Sequence, residues 1–409
     1  MLMPEQIKAT ASRRILIVEE QLQDGFTHHL EYLQNLVGDA RKNGSQVKVL
    51  CNRRASTEVA GALKANPVLF GVSNSSLQHL PARRRKRCAM LSGTIKNGWA
   101  IFREIAASPS YDLILVPTAW YPHVLSIFPS MLFYRRKMRR VAMQFLCQWN
   151  MTSRRSSRQL AWLRFLLRAL QRWHPSVYYF AQTEAAKEDL QGFVGPRVEY
   201  APDVAHPVEG DPKARPLNPA GHVVFGFLGF ARYEQGSDVL LDAIRILLSD
   251  QPETKATFHV FWSTTGFKTP EGRWIELDPE LERSGKVIFY RSFMPREKCL
   301  ALLEQLDWVI LPYRVHPYAK RSSQVAIDAA TRGIPAVYTK GTNQEVTFSQ
   351  FGVGLGIADG APKDLSRTIL KACRENAAFQ ELARQKAPLA RSAFSPAAFW
   401  AAVWHQNPR

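Results

Sequence analysis

Short apolar runs alternate with amphipathic stretches of helical length along almost the whole chain, and this alternation limits the folds open to it more than any other feature. RRILIVEE is followed by HHLEYLQNLVGDARKNG, in which Leu30, Leu33 and Leu36 share a face and Gly44 closes the helix. QVKVLC and YDLILVP are further strands. VYYFAQT, EAAKEDLQGF and RVEYAPD continue the pattern. Strands separated by helices imply βαβ units and a parallel sheet. Right-handed crossovers then bring the functional loops to the carboxyl ends of the strands.

The run PVEGDPKARPLNPAG, Pro207 to Gly221, breaks the alternation with four prolines, two glycines and no apolar periodicity, and reads as a linker. The alternation restarts after it with HVVFGFLGF, SDVLLDAIRILLSD, ATFHVFW and KVIFYRSF, and later DWVILPY, SSQVAIDAATRG and IPAVYT. With 409 residues, two domains can each bury a core. The expected organisation is a first α/β domain over 13–206, a linker over 207–221 and a second α/β domain over 222–390. A terminal helical segment over 391–409, carrying Phe399, Ala402 and Val403 on one side, is expected to pack back on the first domain.

Composition excludes several classes. Apolar residues at 46% and charged residues at 22% describe a soluble globular chain rather than a disordered one. The five cysteines are scattered with no CxxC pair, so neither a disulfide framework nor a zinc site is expected, and a reducing, cytoplasmic setting is. The start reads as a short polar tail before the first strand, with no signal peptide. Leu113 to Tyr134 lacks Lys, Arg, Asp and Glu but is broken by Pro117, Pro122 and Pro129, so it reads as a buried strand, a loop and a helix rather than a membrane span.

The net charge of +19 is concentrated in two places. One is the run Arg83 to Arg87. The other is Tyr134 to Trp173, with eleven basic residues and no acidic one. Within it, RQLAWLRFLLRALQRW sets Leu160, Leu163, Leu167 and Leu170 at helical spacing beside Arg164, Arg168 and Arg172. Such a helix points either to an anionic membrane surface or polyanionic partner, or to a core-facing helix with a solvated basic back. Nucleic acid is not expected, because the arginine run has no interleaved aromatics and no companion motif.

GFLGFARYEQGSDVLLDAI is a strand, a glycine turn and a helix start. Gly229 and Gly236 allow close backbone approach to a ligand, the helix beginning near Ser237 offers N–H groups to an anion, and Arg232 can add a charged contact. A plain strand-turn-helix connection with a surface arginine is the alternative. Downstream, Asp307 precedes the strand Trp308 to Leu311, and Pro312-Tyr313 opens a loop. A helix expected to begin near Ser322 carries Ser322, Ser323 and Gln324 in its first turn and Asp328 further on. It ends with Arg332, a left-handed Gly333 and Pro335.

These segments, in this order, resemble the retaining glycosyltransferases of the large group 1 family, similar to family 4, whose fold is GT-B: two Rossmann-like domains facing a donor and acceptor cleft. The resemblance implies a nucleotide-sugar donor held by Arg232, Gln235, Gly236, Ser292, Phe293, Ser322, Ser323, Gln324 and Asp328. Asp328 would accept from paired ribose hydroxyls, and Ser292 and Phe293 would lie beside the base. Gln235 stands where the family has a lysine, and Lys320 where it has the first of two glutamates. In the first domain, Asp24-Gly25 occupies the position of the family's glycine loop after the first strand, with His28-His29 following, and His123 lies after the strand ending near Val116; Asp24, Gly25 and His123 are the catalytic candidates. A lone histidine also serves as packing or a cap. The family uses no clear protein base, since the departing phosphate assists, and no DxD motif is present, so neither metal nor cofactor is expected.

The implied activity is hexosyl transfer to a lipid-linked or polysaccharide acceptor in cell-surface polysaccharide biosynthesis, in the cytoplasm or at the inner face of the membrane. A sugar-nucleotide epimerase is a minor alternative. Gln235 and Lys320 favour a third, a non-catalytic relative that binds nucleotide or a protein partner.

Overall fold

A computed structural model describes residues 12–23, 28–72, 83–145, 157–208, 210, 221–292 and 294–404, with the backbone alone at 28, 29, 83, 84 and 157–160. The chain divides into two units, one holding residues up to Val204 together with those from Phe399 onward, the other Ala205–Ala398.

In the first unit the elements run β1 (Arg14–Glu19), α1 (His28–Lys42), β2 (Gln46–Asn52), α2 (Thr57–Leu63), β3 (Asn66–Leu69), α3 (Arg83–Ala107), β4 (Leu113–Ala119) and α4 (Tyr121–Phe133). They continue with β5 (Val141–Phe145), α5 (Ser157–Trp173), β6 (Val177–Ala181), α6 (Glu184–Val194) and β7 (Val198–Tyr200). The strands form one sheet in the order β3-β2-β1-β4-β5-β6-β7, every pair parallel.

Side-chain alternation decides what each face covers. Leu16 and Val18 of β1 and Ile114 and Val116 of β4 point to one core, which takes Ile101 and Ile105 of α3, Ile127 of α4 and Leu167 of α5. Ile15 and Ile17, with Leu113 and Leu115, point to the other, shared with α1 and α2. Phe399, Trp400 and Val403 of the terminal helix join this second core, and the Trp400 indole N–H donates to the Leu36 carbonyl at 3.3 Å.

The apolar stripe that the sequence marks on α5 is a core face. Leu163, Leu167 and Leu170 are buried, and the Leu167 carbonyl accepts from the buried Tyr179 hydroxyl at 2.9 Å; the Leu160 side chain lies outside the described residues. The stretch around Leu113 to Tyr134 is β4 and α4 joined through Trp120 alone. His123 therefore sits in the first turn of α4 and not in a loop. Among the described residues no helix is long and apolar enough to cross a membrane.

The second unit runs β8 (Val223–Phe227), α7 (Ser237–Asp250), β9 (Ala256–Phe261), the short antiparallel pair β10 (Phe267–Lys268) and β11 (Trp274–Ile275), α8 (Pro279–Arg283) and β12 (Val287–Tyr290). It continues with α9 (Arg296–Leu303), β13 (Trp308–Leu311), α10 (Val315–Tyr318), α11 (Gln324–Thr331), β14 (Ala336–Thr339), α12 (Asn343–Phe351), β15 (Gly354–Ile357), α13 (Pro362–Arg374) and α14 (Asn376–Ala393), before α15 (Pro396–Trp404). Its main sheet is all parallel, in the order β12-β9-β8-β13-β14-β15. Asp307 fixes the start of β13 against β8: its carboxylate accepts from the Val224 N–H and its own N–H donates to the Val224 carbonyl, both at 2.8 Å.

Strand order reverses direction once in each sheet, between β1 and β4 in the first and between β8 and β13 in the second. At such a switch point the loops leave toward opposite faces and open a crevice at the strand carboxyl ends, where α/β proteins bind ligands.

Candidate functional site

The switch point of the second unit is built by the loop from β8 to α7. Gly236 is left-handed, with φ at 68°, and a Cβ there would stand 1.8 Å from the Pro312 carbonyl oxygen. No other residue lets this turn close on the end of β13. Ser237 opens α7 directly behind it, its hydroxyl donating to the Arg232 carbonyl and accepting from the Arg232 N–H at 3.0 Å. Arg314, in the loop after β13, pins the other side: it bonds Asp238 at 2.6 Å, donates its N–H to the Glu234 carbonyl and lies over the Tyr233 ring.

Two polar atoms of this loop are buried without a hydrogen-bond partner, Arg232 Nε and Gln235 Oε1. Both side chains reach the hydroxyl of buried Tyr318, 3.2 Å from Gln235 Nε2 and 3.5 Å from an Arg232 terminal nitrogen. Gln235 packs against the loop backbone, since a Cβ on Gly229 would meet its amide oxygen at 2.6 Å. Gln235 is thus turned inward onto Tyr318.

Helix α11 faces the same crevice from β13 onward. It begins at Gln324, two residues later than the sequence suggests, with Ser323 as N-cap, whose hydroxyl accepts from the Ala326 N–H. Ser322, Ser323 and Gln324 are half-buried at this N-terminus, where unsatisfied amides and the helix dipole favour an anion. At the other end, Gly333 is left-handed with φ at 67°. Ser292 is exposed in the loop after β12; Phe293 lies outside the described residues.

Asp328 is turned into the protein. It is 1% exposed, and its carboxylate is taken up by the protein. His206 donates its backbone N–H at 3.0 Å and brings its ring Nδ1 to 2.8 Å; Gln324 donates at 3.1 Å, Arg296 bonds Oδ2, and Arg332 stands 3.8 Å away. Burial pushes its pKa up, but the charges of His206, Arg296 and Arg332 outweigh burial and hold it well below the usual carboxylate range. Both carboxylate oxygens are engaged within the protein. The reach of Asp328 is indirect, through Gln324 in the first turn of α11.

In the first unit the switch point sets His123 among three residues that sequence reading missed, Glu19, Glu20 and Thr118. Glu19 ends β1 and Glu20 follows it, and Thr118 and His123 belong to β4 and α4; all four are buried. The Thr118 hydroxyl lies 2.7 Å from both Glu19 oxygens, and the Gln21 N–H donates to one of them at 2.9 Å. Glu20 accepts from the Val72 N–H at 3.1 Å. His123 Nδ1 accepts from the Trp120 N–H at 3.1 Å, which places the ring proton on Nε2, 3.6 Å from Glu20. Burial pushes Glu19 up to about 7 and His123 down to about 4. Asp24 and Gly25 lie outside the described residues, as does the side chain of His28. Two carboxylates closing an otherwise apolar strand were the available signal for this cluster.

The sequence matches no known family profile and no curated protein. By structure the chain has the GT-B fold of two Rossmann-like units. It is similar to HepE of Anabaena, solved with UDP and glucose (15% identity, 94% of this chain and 96% of that one, TM-score 0.60), and to sucrose-phosphate synthase of Thermosynechococcus elongatus (13% identity, 95% and 96%, TM-score 0.62). TarM is similar over 98% of this chain and all of its own, at 10% identity and a TM-score of 0.65.

Two predictions follow from the buried carboxylates. Asp328→Asn leaves Arg296 and Arg332 facing a neutral amide, so the second unit should lose about 3–5 kcal/mol of stability, read by chemical denaturation; an unchanged midpoint would contradict the ion-pair reading. Glu19 keeps its proton in the folded chain at pH values where the unfolded chain has lost it. Its stabilisation is therefore full below the ordinary carboxylate range and is lost as pH rises through about 7, on the order of 3 kcal/mol in total. Glu19→Gln should abolish that loss, so the native and variant stability curves diverge between about pH 5 and pH 8. Parallel curves would show that Glu19 ionises normally.

Proposed function

We propose that the chain is a glycosyltransferase that moves a sugar, as a hexosyl group, from a nucleotide-sugar donor to a lipid-linked or polysaccharide acceptor. The proposed outcome is retention of anomeric configuration, without a metal, in cell-surface polysaccharide biosynthesis at the cytoplasmic side. The observation that carries this reading is the β8–α7 loop at the switch point of the second unit. There a compulsory glycine stands at the N-terminus of α7 beside a half-buried arginine whose Nε is buried and unpartnered, features suited to a diphosphate. HepE, of the same fold, has been solved with UDP and with UDP-glucose, which makes uridine diphosphate the first nucleotide to test.

In this reading Arg232, the Gly236 backbone and Ser237 hold one end of the diphosphate. Ser322, Ser323 and Gln324 hold the other, and the exposed Ser292, with Phe293, borders the base. As the bond from sugar to phosphate lengthens, negative charge grows on the leaving diphosphate. Donors already aimed there stabilise it without reorganising, and that stabilisation is the enzyme's main contribution. Asp328 is a positioning residue: it orients Gln324 and keeps Arg296 in place. The acceptor belongs to the first unit, where His123, neutral at physiological pH and carrying its proton on Nε2, stands beside Glu20 under the β1–β4 switch point.

A second reading, nucleotide binding without turnover, is favoured by the inward Gln235 and by Lys320 in place of the family's glutamate. Hydrolysis or transfer of the sugar, followed by release of free nucleoside diphosphate, separates the two. Arg232→Ala should weaken diphosphate binding by roughly 1.5–3 kcal/mol while the variant stays folded, measured by thermal shift or calorimetry. Unchanged affinity would sink the assignment of this loop to the donor.

A further inference from the structure

The outer surface of α3, α4 and α5 is apolar where a solvated helix layer would be polar. Among the described residues of the first unit, every exposed large apolar side chain lies on these three helices. On α3, Leu91, Ile95 and Trp99 recur four residues apart and form a stripe 60–65% exposed, opposite the buried Ile101 and Ile105. On α4 the exposed residues are Leu125, Leu132 and Phe133; on α5 they are Trp162, Phe165 and Trp173. The face is continuous. Phe102 stacks on Trp99 at 5.8 Å and meets Phe133 edge-on at 6.0 Å, joining α3 to α4, and Phe128 stacks on Trp173 at 6.4 Å, joining α4 to α5. Monomeric soluble proteins rarely leave so extended an apolar surface uncovered.

The charges around it are of one sign. Residues 83–107, 121–137 and 157–173 contain fourteen Arg and Lys and a single carboxylate, Glu104, which is held by Lys48 at 2.7 Å. Arg87, Lys96 and Arg103 are exposed on α3, Arg135 and Arg136 just after α4, and Arg164, Arg168 and Arg172 on α5.

We propose that this three-helix face docks on an anionic lipid bilayer, with the α3 stripe, Phe133 and the α5 aromatics entering the interface and the arginines and lysines at the phosphate level. Aliphatic Leu91, Ile95 and Leu132 have nothing to recognise in a nucleic acid, whereas acyl chains cover them. A second copy of the chain would set two faces of the same positive charge against each other. Aromatic and aliphatic side chains ringed by Lys and Arg are the chemistry of an interfacial surface. The apolar contribution comes from residues exposed in the fold, not from the leucine stripe of α5, which the core has already used. This surface belongs wholly to the first unit, and the inference goes beyond the transfer reading without depending on it.

The test is sedimentation of the full chain with vesicles of phosphatidylglycerol and phosphatidylcholine in equal parts, and with vesicles of phosphatidylcholine alone. The native protein should bind the anionic vesicles at low salt and only weakly the neutral ones. Added salt should weaken binding without abolishing it, because the apolar contacts are not screened. Ile95→Ser, Trp99→Ser and Phe133→Ser together should lower the partition coefficient by about tenfold or more at low salt. Ile95→Leu with Trp99→Phe should keep native binding, and circular dichroism should show both variants folded. Arg164→Gln, Arg168→Gln and Arg172→Gln together should weaken binding to anionic vesicles and flatten its salt dependence. The proposal is overturned if the serine variant binds as well as native protein, if native protein binds neither vesicle, if duplex DNA displaces the vesicles while the serine variant binds that DNA normally, or if native protein is a dimer that the serine variant dissolves.

Discussion

The closeness of Gly236 to the Pro312 carbonyl is the constraint on which the second unit's site depends. With only 1.8 Å available to a Cβ, the loop after β8 and the loop after β13 are held in contact at the one place where the sheet reverses its strand order. Everything ascribed to the site then follows in sequence. Ser237 begins α7 there, Arg232 is folded back by the Ser237 hydroxyl, and Tyr318 comes within reach of both Arg232 and Gln235. Arg314 locks the arrangement from the β13 side through Asp238. A left-handed backbone at that position adds a second reason for glycine, since a side chain there is strained whatever the space.

A different physical device supports the flank. Asp328, buried with His206, Arg296 and Arg332, would be costly as a lone charge, and its partners offset that cost. The knot ties the segment at His206 to α9 and α11, so the first turn of α11 is set by charge as well as by packing. The first unit uses burial the opposite way. Glu19 has Thr118 and a backbone N–H but, among the described residues, no nearby cation to hold its negative charge, and its proton is retained to near neutral pH. One fold thus holds a carboxylate forced to ionise, within α11, and another kept protonated, at the end of β1.

Both α/β units were legible in the sequence because strand and helix periodicities differ and because each crossover is local. The strand Trp308–Leu311, the start of α7 at Ser237 and the left-handed Gly333 lie where the pattern puts them. What depends on distant partners was not legible. Asp328 looks like an accessible carboxylate on an amphipathic helix until His206, distant in sequence, is brought against it. The leucines of α5 could face a membrane or a core, and only the sheet beneath them decides. The α3 stripe of Leu91, Ile95 and Trp99 escaped notice because its apolar residues lie among polar ones, and its core face uses Gly98 to approach Ser126 closely on α4, leaving the larger residues outside. His123 was found, but its partner Glu20 required the topology.

The central claim is that the β8–α7 loop and the α11 N-terminus together hold a nucleoside diphosphate. Amide hydrogen exchange on the full chain, with and without saturating uridine, guanosine or adenosine diphosphate, reads this directly. The account predicts that at least one of these nucleotides slows exchange at residues 229–237 and 321–327 together, while α3 and α5 keep their native rates. Protection confined to the first unit, or none with any of the three, would contradict it.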